Sequence, residues 1–249
     1  MTTDPGGTAV ELCAAADEAL AEAAFRTGKF GAAEQLFAGA RAAAARDGDR
    51  LGEALAVGGL GMTFHYRNIT ALIDGRAPAD ADVAAEEELM RHALSICQET
   101  GDSAGTARAL FGMGLVFQVL RRDWAAAMSY YWPAFGLAEA LEECGDLYGR
   151  SEIHRHIGFY YLAADVRPRE AVRQLALSLA LRERLGDSRK IPSALVSLSA
   201  AEIAAENPER ALELADRAVT MAREARLLPW RLRDAEQSLR EAREAATSR

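Results

Sequence analysis

The sequence predicts an all-α fold made of repeated helix pairs, and three observations carry that prediction. Alanine, the best helix former, supplies 53 of the 249 residues. Aromatic residues are only 7%, although sheets favour aromatic and β-branched side chains. A Gly-Asp pair recurs at Gly48-Asp49, Gly101-Asp102, Gly145-Asp146 and Gly186-Asp187, each closing an amphipathic run. Glycine supplies the left-handed residue that stops a helix, and aspartate caps the next one. All-β and collagen-like chains are excluded, and a hydrophobic content of 50% is enough to bury a core.

Taken in order, the pattern predicts helix pairs at 8–27 with 30–47, 50–68 with 83–100, 104–121 with 124–144, 148–164 with 168–185, and 189–206 with 209–225. A last helix near 229–247 follows. Residues 1–7 read as a flexible N-terminus, 8–228 as one repeat domain and 229–249 as a charged capping helix. In the first helix of pairs two to five, a small residue stands twelve positions after the aspartate: Gly61, Gly114, Gly158 and Ser199. A small side chain at a fixed site lets a neighbouring helix approach closely. The second helices carry small-large-small triplets spaced four and three apart, which share one helix face. These are Ala33/Phe37/Ala40, Ala127/Tyr131/Ala134, Ala171/Leu175/Ser178 and Ala211/Ala215/Ala218. Glu86 takes the first small position in the second pair. The Gly-Asp intervals are 53, 44 and 41 residues. The excess in the first falls at Ile69–Asp82, where Gly75, Pro78 and Asp80 predict an insertion loop. Pro133 falls within the third second-helix and predicts a kink, which either serves no purpose or opens a pocket beneath Trp132.

Charge and cysteine content narrow the partners. The net charge is −8, so a nucleic acid, which requires a basic face, is not expected. Basic residues are 27 arginines against Lys29 and Lys190 alone. With so much alanine, this composition suggests a GC-rich, actinobacterial source. Cys13, Cys97 and Cys144 show no metal-ligand spacing and read as buried thiols. The start lacks a basic and an apolar region, so no signal peptide is predicted. The apolar stretches 54–64 and 109–120 are shorter than the roughly 18–20 residues of a membrane span. A soluble, cytoplasmic protein is expected, with no membrane partner, no metal and no cofactor.

With Gly28-Lys29-Phe30 leading into Ala33, and Trp124 into Ala127, the pattern resembles the tetratricopeptide repeat. The period is longer than the usual ~34 residues. In this it resembles the long-helix arrays of SARP/AfsR-like and MalT-like regulators, to which Ala176–Asp187 (ALSLALRERLGD) is also similar. HEAT and armadillo repeats share the longer period and remain the alternative. The resemblance implies a right-handed α-solenoid whose first helices line a concave groove. Its groove positions fall on Leu55, Gly58, Met62, His65 and Tyr66, then Arg108, Phe111, Leu115, Gln118 and Val119. They continue at Glu152, Arg155, Phe159, Leu162 and Ala163, then Ser193, Val196, Ala200, Ile203 and Ala204. The family's carboxylate clamp is not reproduced, because Leu115 and Phe159 stand where it has asparagine.

No phosphate-binding loop, zinc-protease, serine-hydrolase or EF-hand motif occurs. His154 and His156, two apart on a helix, cannot chelate one metal together. Two functions stay open. One is a binding protein whose groove takes a peptide or protein partner in signalling or regulation. The expected binding residues are Met62, His65, Tyr66, Arg108, Phe111, Leu115, Gln118, Glu152, Arg155 and Phe159. The other is a sensor or enzyme of specialised metabolism on the same scaffold, taking a small anionic or aromatic ligand. There His65, Tyr66, Glu152 and His156 would carry acid–base chemistry, with the 69–82 segment as a lid. An Arg108–Glu152 pair that merely bridges helices is the structural alternative.

Overall fold

The computed structural model describes residues 7–141 and 146–248, so the N-terminal residues 1–6 and the cysteine at 144 lie outside it. Among the described residues it is all-α, with neighbouring helices packed in pairs and no strand. The contacts divide the chain into two compact units, residues 1–141 and 142–249, where the sequence suggested one repeat domain and a cap.

The first unit holds α1 (Ala9–Glu22), α2 (Gly31–Asp47), α3 (Arg50–Ile73), α4 (Asp80–Thr100), α5 (Ser103–Leu115) and α6 (Trp124–Ala140). One turn of π-helix extends α1 over Ala23–Thr27 and another extends α5 over Val116–Leu120. Pairs α1/α2, α3/α4 and α5/α6 pack together, and α2 on α3 and α4 on α5 join the pairs. The second unit holds α7 (Leu147–Ala163), α8 (Pro168–Leu185), α9 (Ile191–Ala204), α10 (Pro208–Glu224) and α11 (Pro229–Thr247). Here α7/α8 and α9/α10 pair, and α11 packs on both α10 and α9.

The aspartates of the Gly-Asp pairs cap the following helix at three of four sites, and Gly145 of the third pair lies outside the described residues. Asp49, Asp102 and Asp146 accept hydrogen bonds from the backbone N–H of Gly52 (2.9 Å), Gly105 (2.9 Å) and Gly149 (2.8 Å). Asp187 does not cap a helix. It bonds to the N–H and guanidinium of Arg189 (3.1 and 2.9 Å), and α9 starts later, at Ile191. Gly48, Gly101 and Gly186 hold left-handed φ of 66–75°. The same conformation recurs at Arg122 (54°), Glu206 (64°) and Arg226 (52°), where it is strained for a side chain.

The small residues sit where helices touch. A Cβ on Gly158 would fall 2.6 Å from Leu175, and one on Gly61 2.9 Å from Met90. On Gly114 it would enter the Tyr131 ring. Ser199 donates to the Ala211 carbonyl at 2.9 Å, fully buried. Gly59 and Gly112 receive Phe37 and Met90 of the preceding pair, so large second-helix residues key into glycines on neighbouring first helices. The triplets Ala33/Phe37/Ala40, Ala127/Tyr131/Ala134, Ala171/Leu175/Ser178 and Ala211/Ala215/Ala218 are all buried.

The 69–82 insertion is not a long loop. Helix α3 continues to Ile73 and α4 begins at Asp80, leaving only 74–79 outside helix. Thr70 bonds back to the Tyr66 carbonyl (2.8 Å), while Asp80 and Asp82 suit the positive start of α4. Arg67 ties the region together through Glu34 on α2 (2.7 Å) and Asp82 on α4 (3.2 Å). Trp132 lies on the surface, 43% exposed and edge-on to Phe135, while Tyr131 takes the core position. The segment Ser103–Leu120 has the length and composition of a marginal membrane span, yet half of it is buried, as in a core helix.

Candidate functional site

In the second unit, polar chemistry concentrates on α7. The Asp146 cap starts this helix, and its next two turns bring Tyr148, Ser151, Glu152, Arg155 and His156 together with α8. Arg182 of α8 is the organiser. It is 1% exposed, four residues beyond Ser178, and therefore on the buried stripe of its helix. Its Nη2 pairs with Glu152, its Nε donates to Ser151 Oγ (3.2 Å), and its Nη1 donates to the Lys190 carbonyl (2.7 Å) and Ser193 Oγ (2.6 Å). Tyr148 lies under both Arg182 (5.6 Å) and the Lys190 ammonium (4.1 Å). One side chain thus joins α7, α8 and the start of α9.

Glu152 also accepts from Arg155, at 3.2 Å from Nε and 3.0 Å from Nη2. One buried carboxylate therefore faces two guanidinium groups, and such charge-assisted, forked bonds fix the geometry. Arg155 lies over the Phe159 ring at 5.0 Å and reaches His156 Nε2 at 3.1 Å. Its side chain is 21% exposed, whereas His156 and Glu152 are buried. His156 meets Phe159 edge-on at 5.6 Å. Arg155 and Phe159 form the accessible edge of this cluster. His154 points elsewhere, bonding Gln174 of α8 at 2.7 Å with both side chains buried.

The first unit contains a second buried polar cluster. His65 Nδ1 lies 2.7 Å from Glu86 Oε1, and Asn68 donates to Glu86 Oε2 at 2.8 Å. All three are at most 2% exposed and link α3 to α4. His65 is therefore not a groove residue. It stands four after Gly61, on the face that packs against α4, and the carboxylate in place of alanine at 86 is its partner. Phe111 (6% exposed) is also corrected, because it packs against Tyr131 at 5.6 Å. Leu115 (2% exposed) is likewise core. Gln118, in the π-turn, accepts from the Tyr131 hydroxyl at 2.6 Å. The opening of the 69–82 segment into long helices also removes the expected lid.

Of the sequence-derived groove set, Met62, Tyr66, Gln118, Arg155 and Phe159 are half-buried and Arg108 is exposed. Met62, Tyr66, Arg108 and Gln118 belong to the first unit, Arg155 and Phe159 to the second. The carboxylate of Glu152 is bonded within its own unit by Arg155 and Arg182, which accounts for its charge without Arg108. Sequence reasoning missed Arg182, Asn68 and Gln174. Arg182 was the legible one, since it extends the Ala171/Leu175/Ser178 stripe by one more step of four.

Among the described residues no group of three or more His, Cys, Asp or Glu side chains is placed to hold a metal ion. Burial, aided by Asp17 and Asp49, pushes the Cys13 thiol up to about 11. Burial and Asp102 raise that of Cys97. Neither thiol is set up as a nucleophile.

This assembly of paired helices, with buried polar links inside each unit, is an all-α helical-repeat fold. No protein-family model matches the sequence, and comparison with curated proteins gives no match either. Among solved structures the chain is similar to BtubC (BKLC) from P. vanneervenii. The identity is 18%, covering 86% of this chain and 91% of that one, with a TM-score of 0.48.

Proposed function

We propose that this chain is a tetratricopeptide-type binding protein that recognises an extended peptide or a partner helix along its first-helix faces. It acts in signalling or regulation in the cytoplasm of an actinobacterium. The observation that carries this reading is the separation of buried from accessible chemistry. Of the four acid–base candidates, His65, Glu152 and His156 are buried among protein partners, and only Tyr66 is half-buried. What remains accessible is arginine, aromatic and aliphatic surface: Arg155 and Phe159 in the second unit and, separately, Arg108, Tyr66 and Met62 in the first. Such surface suits recognition by a solenoid better than proton transfer. An enzyme of specialised metabolism would need a titratable group facing substrate; His65, His154 and His156 are buried, while His92 stands half-exposed on α4, 4.0 Å from Glu53.

A test is to pan a library of linear peptides against the purified full chain and measure the affinity of selected peptides by fluorescence anisotropy. Arg155→Ala and Phe159→Ala should each weaken a selected peptide by about tenfold, the scale of one charge-assisted bond or aromatic contact. Far-UV circular dichroism should stay unchanged. Failure to select any peptide, or full affinity in both variants, would overturn the proposal. So would native mass spectrometry showing a co-purified metabolite that Arg155→Ala releases.

A further inference from the structure

Helix α9 shows a single face to solvent. Between Ile191 and Ala204 only Ser193, Val196, Ala200, Ile203 and Ala204 escape burial, and their spacing puts them on one stripe. The stripe carries no charge, and its small side chains leave room for a main chain to lie against it. On α7, Arg155 is the one residue from Ser151 to Gly158 that is not buried. Within the second unit, α9 packs against both α7 and α11. Arg155 is close enough to Asp234 on α11 to act on its charge. Arg155 and Asp234 therefore stand on opposite walls of a groove whose floor is the α9 stripe.

Asp234 is the unused group of this groove. It is exposed, and among the described residues it makes no hydrogen bond or ion pair. Arg231, three residues before it, is the natural partner on the same helix face, but its guanidinium lies over the Trp230 ring at 4.2 Å. Arg155 is held by Glu152 and Phe159. Burial raises the Asp234 carboxyl above its ordinary 3.8, against the pull of Arg231 and Arg155 and with a further push from Glu241. A carboxylate that water reaches, yet that the surrounding protein desolvates, lies in a concavity. A cation brought to it replaces the lost hydration.

We propose that the α7/α9/α11 groove binds an extended peptide segment through two opposite charges, an acidic side chain on Arg155 and a basic side chain on Asp234, with the main chain between them on the α9 stripe. This assigns the partner's chemistry at the face proposed above to bind peptides, and it rests on that reading. Charges paired across an interface select partners and reject those that bring like charges together.

The probes are fluorescein-labelled, end-capped linear peptides of serine and leucine that carry one glutamate and one arginine at spacings of one to four residues. Matched peptides carry the glutamate alone. Anisotropy titration with the full chain should reveal a spacing at which the added arginine tightens binding about tenfold. Asp234→Asn, at an exposed position, should abolish that gain and leave the glutamate-only peptides unchanged. Asp234→Arg should reverse the preference, so that a second glutamate binds better than arginine. Arg155→Ala should instead remove the contribution of the glutamate. An arginine that adds nothing at any spacing, or a gain that survives Asp234→Asn, overturns the proposal. Glutamate-only peptides that still bind and still respond to Arg155→Ala would then leave the broader peptide-binding reading standing. Absence of binding by every probe also overturns the two-charge proposal, and the library selection described above decides the broader reading.

Discussion

Replacing Arg182 by methionine tests whether one buried side chain holds α7, α8 and α9 together. Methionine keeps an apolar stem of similar length and removes only the guanidinium. The loss includes the ion pair to Glu152 and the bonds to Ser151, Ser193 and the Lys190 carbonyl. Removing one partner of a buried ion pair costs roughly 3–5 kcal/mol, because the remaining charge and acceptors stay buried. Glu152 keeps Arg155, which places the expected cost near the lower end, about 3 kcal/mol. For a chain of this size 1 kcal/mol moves the midpoint by about 2–4 °C, so the thermal transition should fall by at least about 6 °C. Circular dichroism melts and urea titration of Arg182→Met, Glu152→Gln and the double variant complete a mutant cycle. The pair should show a coupling of roughly 1–3 kcal/mol, with the double variant costing less than the sum. A single-variant loss below about 1 kcal/mol, or strict additivity, would refute the claim that Arg182 is the organising residue.

Further perturbations probe the other elements. Gly158→Val forces a branched side chain onto Leu175, whose Cγ is 2.6 Å from a Cβ at that site, and should cost about 1–3 kcal/mol in urea unfolding. Glu206→Gly relieves a left-handed residue (φ 64°) and should stabilise the chain by about 0.5–1 kcal/mol, measured the same way. His65→Ala leaves the buried Glu86 with Asn68 alone and should cost about 2–4 kcal/mol. Intact stability in that variant would show the α3–α4 link to be dispensable. The pH profile of stability should fall at both ends. Burial tends to raise the Asp187 carboxyl, but Arg189 and Lys190 outweigh it and hold it below 3.8, so its contribution is present at neutral pH and disappears as acid protonates it. Cys13, raised from 9.0 to about 11, favours the folded thiol, and that contribution is lost as pH rises from about 9 towards 11. Denaturation midpoints across pH 3–11 check both directions.

The architecture was legible because its signals are local and repeated. A Gly-Asp punctuation and a triplet spaced four and three are properties of single helices, and Gly48, Asp49, Phe37 and Tyr131 behave as their spacing requires. At the fourth pair Gly186 ends α8 as expected, but Asp187 caps no helix for an equally local reason, since its carboxylate is bonded to the Arg189 guanidinium instead. The α3–α4 connection was misjudged because Gly75 and Pro78 mark a turn but do not fix its length. Cross-helix ion pairs of Arg67, invisible in a linear pattern, let both helices grow into it. The division into two units rests on long-range contacts that no local pattern encodes.

The site was less legible, and helix geometry explains which residues moved. At about 100° per residue, the position four after the small residue returns to within about 40° of it, and the position three before to within about 60°. Such side chains face the helix that the small residue admits. His65 accordingly reaches Glu86, Gln118 reaches Tyr131, and Phe111 packs against the same ring. Positions one and five after it lie about 100–140° away, free of that contact. There stand Met62, Tyr66 and Phe159, all half-buried, and the exposed Ala200 and Ala204. Besides Arg155, two residues depart from this pattern, and Glu152, six before Gly158 and about 120° from it, does so for a visible reason: Arg182 draws its carboxylate inward. Leu115 is the other, buried with the apolar α5. Arg155 escapes although it stands three before Gly158, because its long side chain folds back over Phe159 and keeps its guanidinium at the edge. Any ligand that competes for that guanidinium also acts on Glu152 and, through it, on Arg182. A ligand that binds only the folded chain at the α7 face should therefore raise the melting temperature, and by more in Glu152→Gln, whose Arg155 no longer has a carboxylate partner to give up.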